Sequence, residues 1–330
     1  MPIISQDIVN DYLHDYRSGK IPKGYTIGDD RADDYFRFKR ATLTCVLGMP
    51  NCGKTYWCMW YFLALSSRHN LKWAVWSDEN SAGQLTRDLI QMYSGKKYMD
   101  LTQEEIRKFS FKINHWFTFI DNNQRYKVGD LLKEFEQIEC DGCFIDPYSG
   151  LDRKLTYDDT YQSMTDIKYW IKQHKKSVYI ALHTATEAGR RGALITEGED
   201  KGCMRAPSAA DAEFGMLFNN RTDDFIVIHR YTNNEHKRFT TQVHVRKIKD
   251  VDTGGSQTNM DTPVKFDYNS GLGFKLDYYD AIQRAEIVSQ TTLQVPNYPP
   301  PVNFYEVARK ENEFDKYAEF DEQQDESLPF

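Results

Sequence analysis

The 330-residue chain has no run of about 18 or more apolar residues, so nothing in it predicts a membrane-spanning helix. Its first residues, MPIISQDIVNDYLHDY, carry acids early and lack an apolar core segment, so no signal peptide is expected. A disulfide framework is also missing. The six cysteines, at 45, 52, 58, 140, 143 and 203, follow no framework spacing, which predicts a reducing, cytoplasmic setting. Cys140 and Cys143 form a C-x-x-C, but a zinc site needs four ligands and no second pair stands at a suitable distance. Positive charge is not in excess: 42 Lys and Arg oppose 49 Asp and Glu, a formal net charge of −7. Bulk attraction to nucleic acid is thereby excluded, and any such site must be a local basic patch. No internal repeat with a period of roughly 20–50 residues is visible.

What the chain does contain is an ordered set of nucleotide-handling motifs. Hydrophobic residues make up 40% of it, enough for a sizeable core. Helical spacing is read over 6–18, 54–67, 81–93, 103–109, 128–137 and 157–174. Strands are read over 41–47, 72–77, 116–120, 143–145, 177–182, 225–229 and 241–248, the last two antiparallel across TNNEHKR, and 20–40 is read as loop. Strands alternating with helices predict an α/β fold with a mostly parallel sheet flanked by helices and antiparallel strands near the C-terminal side. Residues 1–40 are expected to be an N-terminal linker segment, for which the likeness described below implies subunit docking, and 41–288 the α/β domain. Residues 289–330 are expected to be a Pro-rich linker and an acidic, disordered tail.

The segment Gly48-Met49-Pro50-Asn51-Cys52-Gly53-Lys54-Thr55 fits G-x-x-x-x-G-K-[ST] between a strand and a helix. Backbone N–H groups at a helix N-terminus cradle phosphates. Lys54 adds a cation on the β/γ oxygens and Thr55 a hydroxyl for Mg²⁺. Hydrolysis needs a second carboxylate near the metal, and Asp146, ending the strand in CFIDPYSG, supplies it. A residue must also activate water, and Glu79 in VWSDENSAGQL is the candidate base. His183 ends the strand YIAL and is placed to sense the γ-phosphate. The long loop after it carries Arg190, Arg191, Lys201 and Arg205, the local basic patch that the net charge demands, although Glu197, Glu199 and Asp200 offset much of it. Arg246, Lys247 and Lys249 in VRKIKDVDTGG form a basic cluster at a strand end. It is either a solvated edge or a cation acting on nucleotide held by a neighbouring copy.

Taken in order, these motifs resemble the hexameric replicative DNA helicases of the RecA-like class, above all the helicase half of phage helicase–primases and Twinkle-type enzymes, and more distantly DnaB-type helicases. The likeness covers roughly residues 5–275. It implies a RecA-like phosphate-loop core in which Glu79 activates water, Asp146 and Thr55 hold Mg²⁺ and His183 acts as sensor. It implies that Asn220 in NNRTDDFIVIHR is a second polar sensor, that Arg230 lies against the base and that Tyr268 in KFDYNSGLGF stacks on it. Arg246 or Lys249 would act in trans, with Lys247 beside the nucleotide, and helix 6–18 would pack on the adjacent subunit. The cofactors implied are ATP or a dNTP with Mg²⁺. The partners implied are single-stranded DNA, further copies of the chain in a hexameric ring of phage origin, and a polymerase, primase or single-stranded-DNA-binding protein docking on 321–330. The setting implied is the host cytoplasm. A RecA-like recombinase or regulatory ATPase of the KaiC or plasmid-RepA kind, and an ATPase adaptor working through its acidic tail, remain open alternatives.

Overall fold

The phosphate-loop strand lies inside a nine-stranded sheet. The computed structural model describes residues 3–21, 23–185, 194–259 and 261–285, all within a unit spanning Met1–Thr291. In chain order, helices α1 (Gln6–Arg17) and α2 (Asp30–Asp33) precede strand β1 (Leu43–Gly48) and helix α3 (Lys54–His69). Then come β2 (Trp73–Ser77), α4 (Ala82–Ser94), α5 (Gln103–Trp116), β3 (Phe117–Phe119), α6 (Val128–Gln137) and β4 (Gly142–Asp146). They are followed by α7 (Tyr157–His174), β5 (Ser177–His183), α8 (Leu217–Arg221), β6 (Asp224–Arg230), β7 (Thr240–Lys247), α9 (Val251–Gly254), β8 (Val264–Tyr268) and β9 (Phe274–Lys275).

The strand order is β3-β2-β4-β5-β1-β6-β7-β8-β9. The strands from β3 through β6 run parallel, while β7, β8 and β9 each run antiparallel to their neighbour. Every residue of β1 is buried, as expected of a strand covered on both faces. Its side chains alternate. Leu43, Cys45 and Leu47 pack with α6 and α7, whereas Val46 packs with α3 and α4. Helix α3 is apolar nearly all round. It buries Trp57, Trp60, Tyr61 and Phe62, with Phe62 stacked on Trp73 at 3.9 Å between centroids. Each such side chain contributes about 1.5–3 kcal/mol.

The fold class agrees with the sequence reading, and helices 128–137 and 157–174 agree at both ends. Three features differ. Helix α5 runs on to Trp116, stapled at its start by a Thr102/Glu105 capping box. Strands β8 and β9 extend the sheet beyond β7. Residues 24–38, read as loop, belong to the core: Ile27, Phe36 and Phe38 are buried and Asp33 accepts the Ile27 and Gly28 N–H groups. Helix α1 buries no residue, and its Tyr16 hydroxyl donates to Asp252 at 2.6 Å. No helix among the described residues is long and apolar enough to cross a membrane.

Candidate nucleotide site

Parallel strands deliver their C-terminal ends to one edge of the sheet, and ligands bind beyond that edge where strand order reverses. Strand β1 sits between β5 and β6, so the loop after it opens into such a crevice. The loop turns through Asn51 (φ 61°) and Gly53 (φ 87°), the left-handed region that glycine enters without cost. Gly48 is required for packing, since a Cβ there would stand 2.6 Å from both Cys52 Sγ and the Ile228 carbonyl oxygen. Cys52 is buried and its thiol donates to that carbonyl at 3.3 Å. Its side chain anchors the loop to β6. In the sequence reading Cys52 meets phosphate as part of the loop, whose backbone N–H groups do the cradling, and its side chain has this separate anchoring role.

Lys54 Nζ donates to the Gly48 carbonyl at 3.2 Å, curled back over the turn of its own loop. Thr55 Oγ1 lies 3.0 and 2.9 Å from the two carboxylate oxygens of Asp146, and Ser77 Oγ lies 3.0 Å from one of them. Ser77 is braced in turn: Asn80 N–H donates to its hydroxyl and Asn122 Nδ2 to its carbonyl. Burial pushes the Asp146 carboxyl up to about 6, with the Thr55 and Ser77 hydroxyls pulling the other way. A buried carboxylate with a threonine hydroxyl against it is a hard-oxygen donor set open to more charge neutralisation, and it fits Mg²⁺. At the end of β5, His183 Nε2 meets Glu79 Oε1 at 3.1 Å.

These groups open on a cleft of about 320 Å³ lined by Pro50, Asn51, Gly53, Lys54, Thr55, Glu79 and His183, continuing between α3 and α4 past Tyr56 and Leu85. Beside the loop, Arg230 lies over the Tyr268 ring at 4.3 Å and donates to Thr241 Oγ1. A Cβ on Gly53 would stand 3.4 Å from its guanidinium. Tyr56 meets Tyr268 edge-on at 5.6 Å. The fold thus gathers Gly48, Pro50, Asn51, Gly53, Lys54, Thr55, Glu79, Asp146, His183, Arg230 and Tyr268 at one edge.

The remaining candidates lie elsewhere. Strand β7 runs antiparallel to β6, with Lys247 opposite Phe225, and β6 starts level with Thr44. Arg246, Lys247 and Lys249 therefore stand toward the other edge of the sheet, Lys247 about 10 Å and Lys249 about 15 Å or more along the strands from Gly48. Lys247 is not a nucleotide ligand of its own chain. Its ammonium donates to the Asn219 and Thr222 carbonyls at 2.6 and 2.8 Å, closing the C-terminal end of α8. Asn220 lies within α8 at that same edge, which removes it as a sensor for its own chain's phosphates. Lys249 pairs with Asp223 at 3.1 Å but is 66% exposed, and Arg246 donates to His244 Nδ1 at 3.2 Å. Lys201 and Arg205 are exposed on the segment after β5, while Arg190 and Arg191 lie outside the described residues.

Sequence reasoning missed Ser77, Asn80 and Asn122, which hold Asp146 in place, and Tyr56 beside the base candidates. A small polar residue ending β2 next to the acidic pair was the available signal for Ser77.

Fold and site together define a phosphate-loop nucleotide-binding domain of the RecA-like kind. No family model matches the chain. One solved ATPase domain superposes with a TM-score of 0.63 at 14% identity, over 83% of this chain and 99% of that one. A DnaB-like replicative helicase, solved in a study of its interactions with primase, superposes with a TM-score of 0.60 at 13% identity, over 83% of this chain and 67% of that one. At those identities the two structures show the fold. The Twinkle homolog protein, chloroplastic/mitochondrial, of Arabidopsis thaliana is 23% identical over 252 residues. That match spans 70% of this chain and 34% of the relative, so the chain corresponds to about a third of that protein's length.

Proposed function

We propose that the chain is the motor of a replicative DNA helicase: a ring-forming enzyme that hydrolyses ATP or a dNTP to move 5′→3′ along single-stranded DNA and separate the duplex. The observation that carries this is the division of the machinery. Phosphate-binding and water-activating groups meet at one edge of the sheet, and the basic cluster stands at the opposite edge of the same chain. A nucleotide held between neighbouring copies, expected to be six, would meet both. The likeness to the DnaB-like helicase fold and to the Twinkle homolog supports the same reading.

In this reading the loop amides and Lys54 bind the phosphates, and Thr55 and Asp146 hold Mg²⁺. When bound, the metal neutralises charge on the transferring phosphoryl group. Glu79 orients and deprotonates water, and His183, hydrogen-bonded to Glu79, keeps that carboxylate in place. Arg230 and Tyr268 part to receive the base between them. Lys249 or Arg246 of a neighbour supplies the trans cation, and Arg190, Arg191, Lys201 and Arg205 track the DNA backbone. The apolar face of α1 packs on the adjacent copy, and the acidic 321–330 segment docks a polymerase, primase or single-stranded-DNA-binding protein; it lies outside the described residues.

Strand displacement on a forked substrate tests the reading. The wild type should separate the strands with nucleotide present, and Lys54→Ala should not. Nucleotide-dependent DNA binding without displacement would favour a recombinase or regulatory ATPase. Function that survives Lys54→Ala but not deletion of the tail would favour an adaptor. Native mass measurement with nucleotide and an oligonucleotide checks the ring, which a strictly monomeric protein would rule out.

A further inference from the structure

Arg153 is a buried cation that the nucleotide site does not use. It follows the turn Tyr148–Gly150, which continues from Asp146, and its side chain is 3% exposed. The guanidinium lies over the Tyr148 ring at 4.9 Å and the Phe214 ring at 5.7 Å. Nη2 donates to Glu213 Oε2 at 2.9 Å, while Nε and Nη1 are buried without a hydrogen-bond partner. Phe214 is held at φ 61°, a left-handed conformation that costs a bulky side chain energy. As a stabilising device this is poor: a buried ion pair with unsatisfied donors is commonly matched or bettered by apolar residues of the same volume. Its position suggests another use.

Glu213 stands at the returning foot of the segment that leaves β5 after His183. The two feet are joined directly: Ala185 N–H donates to the Asp211 carbonyl at 2.7 Å, Thr184 bridges Ala212, and Glu213 N–H donates to the His183 carbonyl at 3.4 Å. The outgoing foot also touches the phosphate loop through Thr184 Oγ1, 3.2 Å from Met49 Sδ. His183 in turn holds Glu79. A continuous chain of contacts therefore runs from the feet of the segment after β5 to Glu79, the candidate base, and Arg153 ties it to the strand bearing Asp146.

We infer that Arg153, through Glu213 and His183, is a positioning residue that couples engagement of single-stranded DNA by the segment after β5 to the placement of Glu79. Displacement of the feet moves His183 and with it the Glu79 carboxylate, while Arg153 fixes the point about which they move. The inference rests on the helicase reading, because it needs DNA to act on that segment.

The experiment measures nucleotide hydrolysis by the full chain with and without a single-stranded oligonucleotide, for the wild type, Arg153→Met, Glu213→Gln and Arg153→Lys. Oligonucleotide binding and thermal unfolding are followed in parallel, and the isosteric Glu213→Gln guards against a misfolded Arg153→Met. Stimulation by DNA should fall about tenfold or more in Arg153→Met and Glu213→Gln, within the usual range of coupling between two sites. Basal kcat, nucleotide KM and DNA affinity should stay within about twofold, and Arg153→Lys should recover part of the stimulation. Equal stimulation in wild type and variants overturns the inference and leaves the helicase reading intact. Basal and stimulated rates falling by one common factor, or DNA affinity falling in step with stimulation, reduce Arg153 to a structural role. A wild type indifferent to DNA removes the helicase reading itself, and the coupling with it.

Discussion

The two edges of the central sheet differ in how their polar groups are satisfied. At the C-terminal edge, the Thr55 and Ser77 hydroxyls both donate to Asp146, and Lys54 folds back on Gly48. A buried carboxylate in contact with hydroxyls, and a lysine resting on its own loop, are groups poised for phosphate and metal. At the opposite edge, Lys247 is committed to the end of α8, Asp223 accepts from Lys168 and Lys249, and Lys249 projects into solvent. One edge is a site that its own chain assembles. The other is a surface whose most exposed cation has a single weak tie to its own chain. Motif spacing therefore locates most of the first kind of site, whereas the proposed role of the second needs a second copy of the chain.

Removing the cation proposed to act in trans should have the largest effect on this division. Lys249→Ala should lower DNA-stimulated hydrolysis by about 10³-fold, the scale of a cation supplied in trans, while leaving the fold unchanged because the side chain is largely exposed. Mixing Lys249→Ala with Lys54→Ala should restore part of the rate, since mixed neighbours pair an intact loop with an intact cation. If no mixture regains activity while Arg246→Ala behaves as described, the trans role passes to Arg246.

At the other edge, Glu79→Gln should cost about 10²–10⁴-fold in kcat, the range for general-base catalysis, with nucleotide affinity retained because the loop and Lys54 are untouched. A nucleotide titration followed by single-turnover hydrolysis separates the two. A rate within a few fold of the wild type would take the base role away from Glu79.

How far each edge could be read from sequence follows the same division. Gly48, Lys54, Thr55, Glu79, Asp146 and His183 were legible because each sits at a strand end or helix start, where local pattern fixes position. Asn220 was harder to place, because it lies in the short helix α8 that enters β6 from the far edge, and five residues carry too little pattern to fix their position. Phe36 and Phe38 were read as loop because they reach the core through irregular backbone, which has no period to detect. Arg153 was invisible because its meaning depends on Glu213, which only the fold brings beside it.

Two buried histidines set the face of the sheet behind Met204 apart from both edges. His229 Nε2 donates to the Met204 carbonyl at 2.9 Å, and burial pushes the His229 imidazole down to about 4 and that of His244 down to about 3. Both bases have folded values below their unfolded ones. Their contribution is therefore complete above about pH 6.5 and is lost as pH falls, because the unfolded chain takes up protons that the native state refuses. Each histidine loses about 2 kcal/mol between pH 6.5 and 5. Asp146, raised by burial, works in the opposite direction below about pH 6 in metal-free protein. Denaturant unfolding at both pH values should show His244→Gln recovering about 2 kcal/mol of the acid loss relative to wild type. Parallel curves would mean that His244 titrates normally.

The smallest effect separates the two lysines of the basic cluster. Lys247→Met removes an ammonium that satisfies the carbonyls of Asn219 and Thr222 and leaves both partly buried acceptors short of a donor. Stability should fall by about 1–3 kcal/mol. Lys249→Met deletes one contact from an exposed side chain, and Asp223 keeps Lys168 at 2.8 Å, so its cost should stay under about 1 kcal/mol. Chemical denaturation of the two variants side by side measures the difference. If Lys249→Met is the costlier, then Lys249 is part of the scaffold and Lys247 becomes the candidate for action on a neighbour's nucleotide. The expected order instead assigns one lysine to the fold and leaves the other able to reach another copy, as the proposed sharing of that edge between two chains requires.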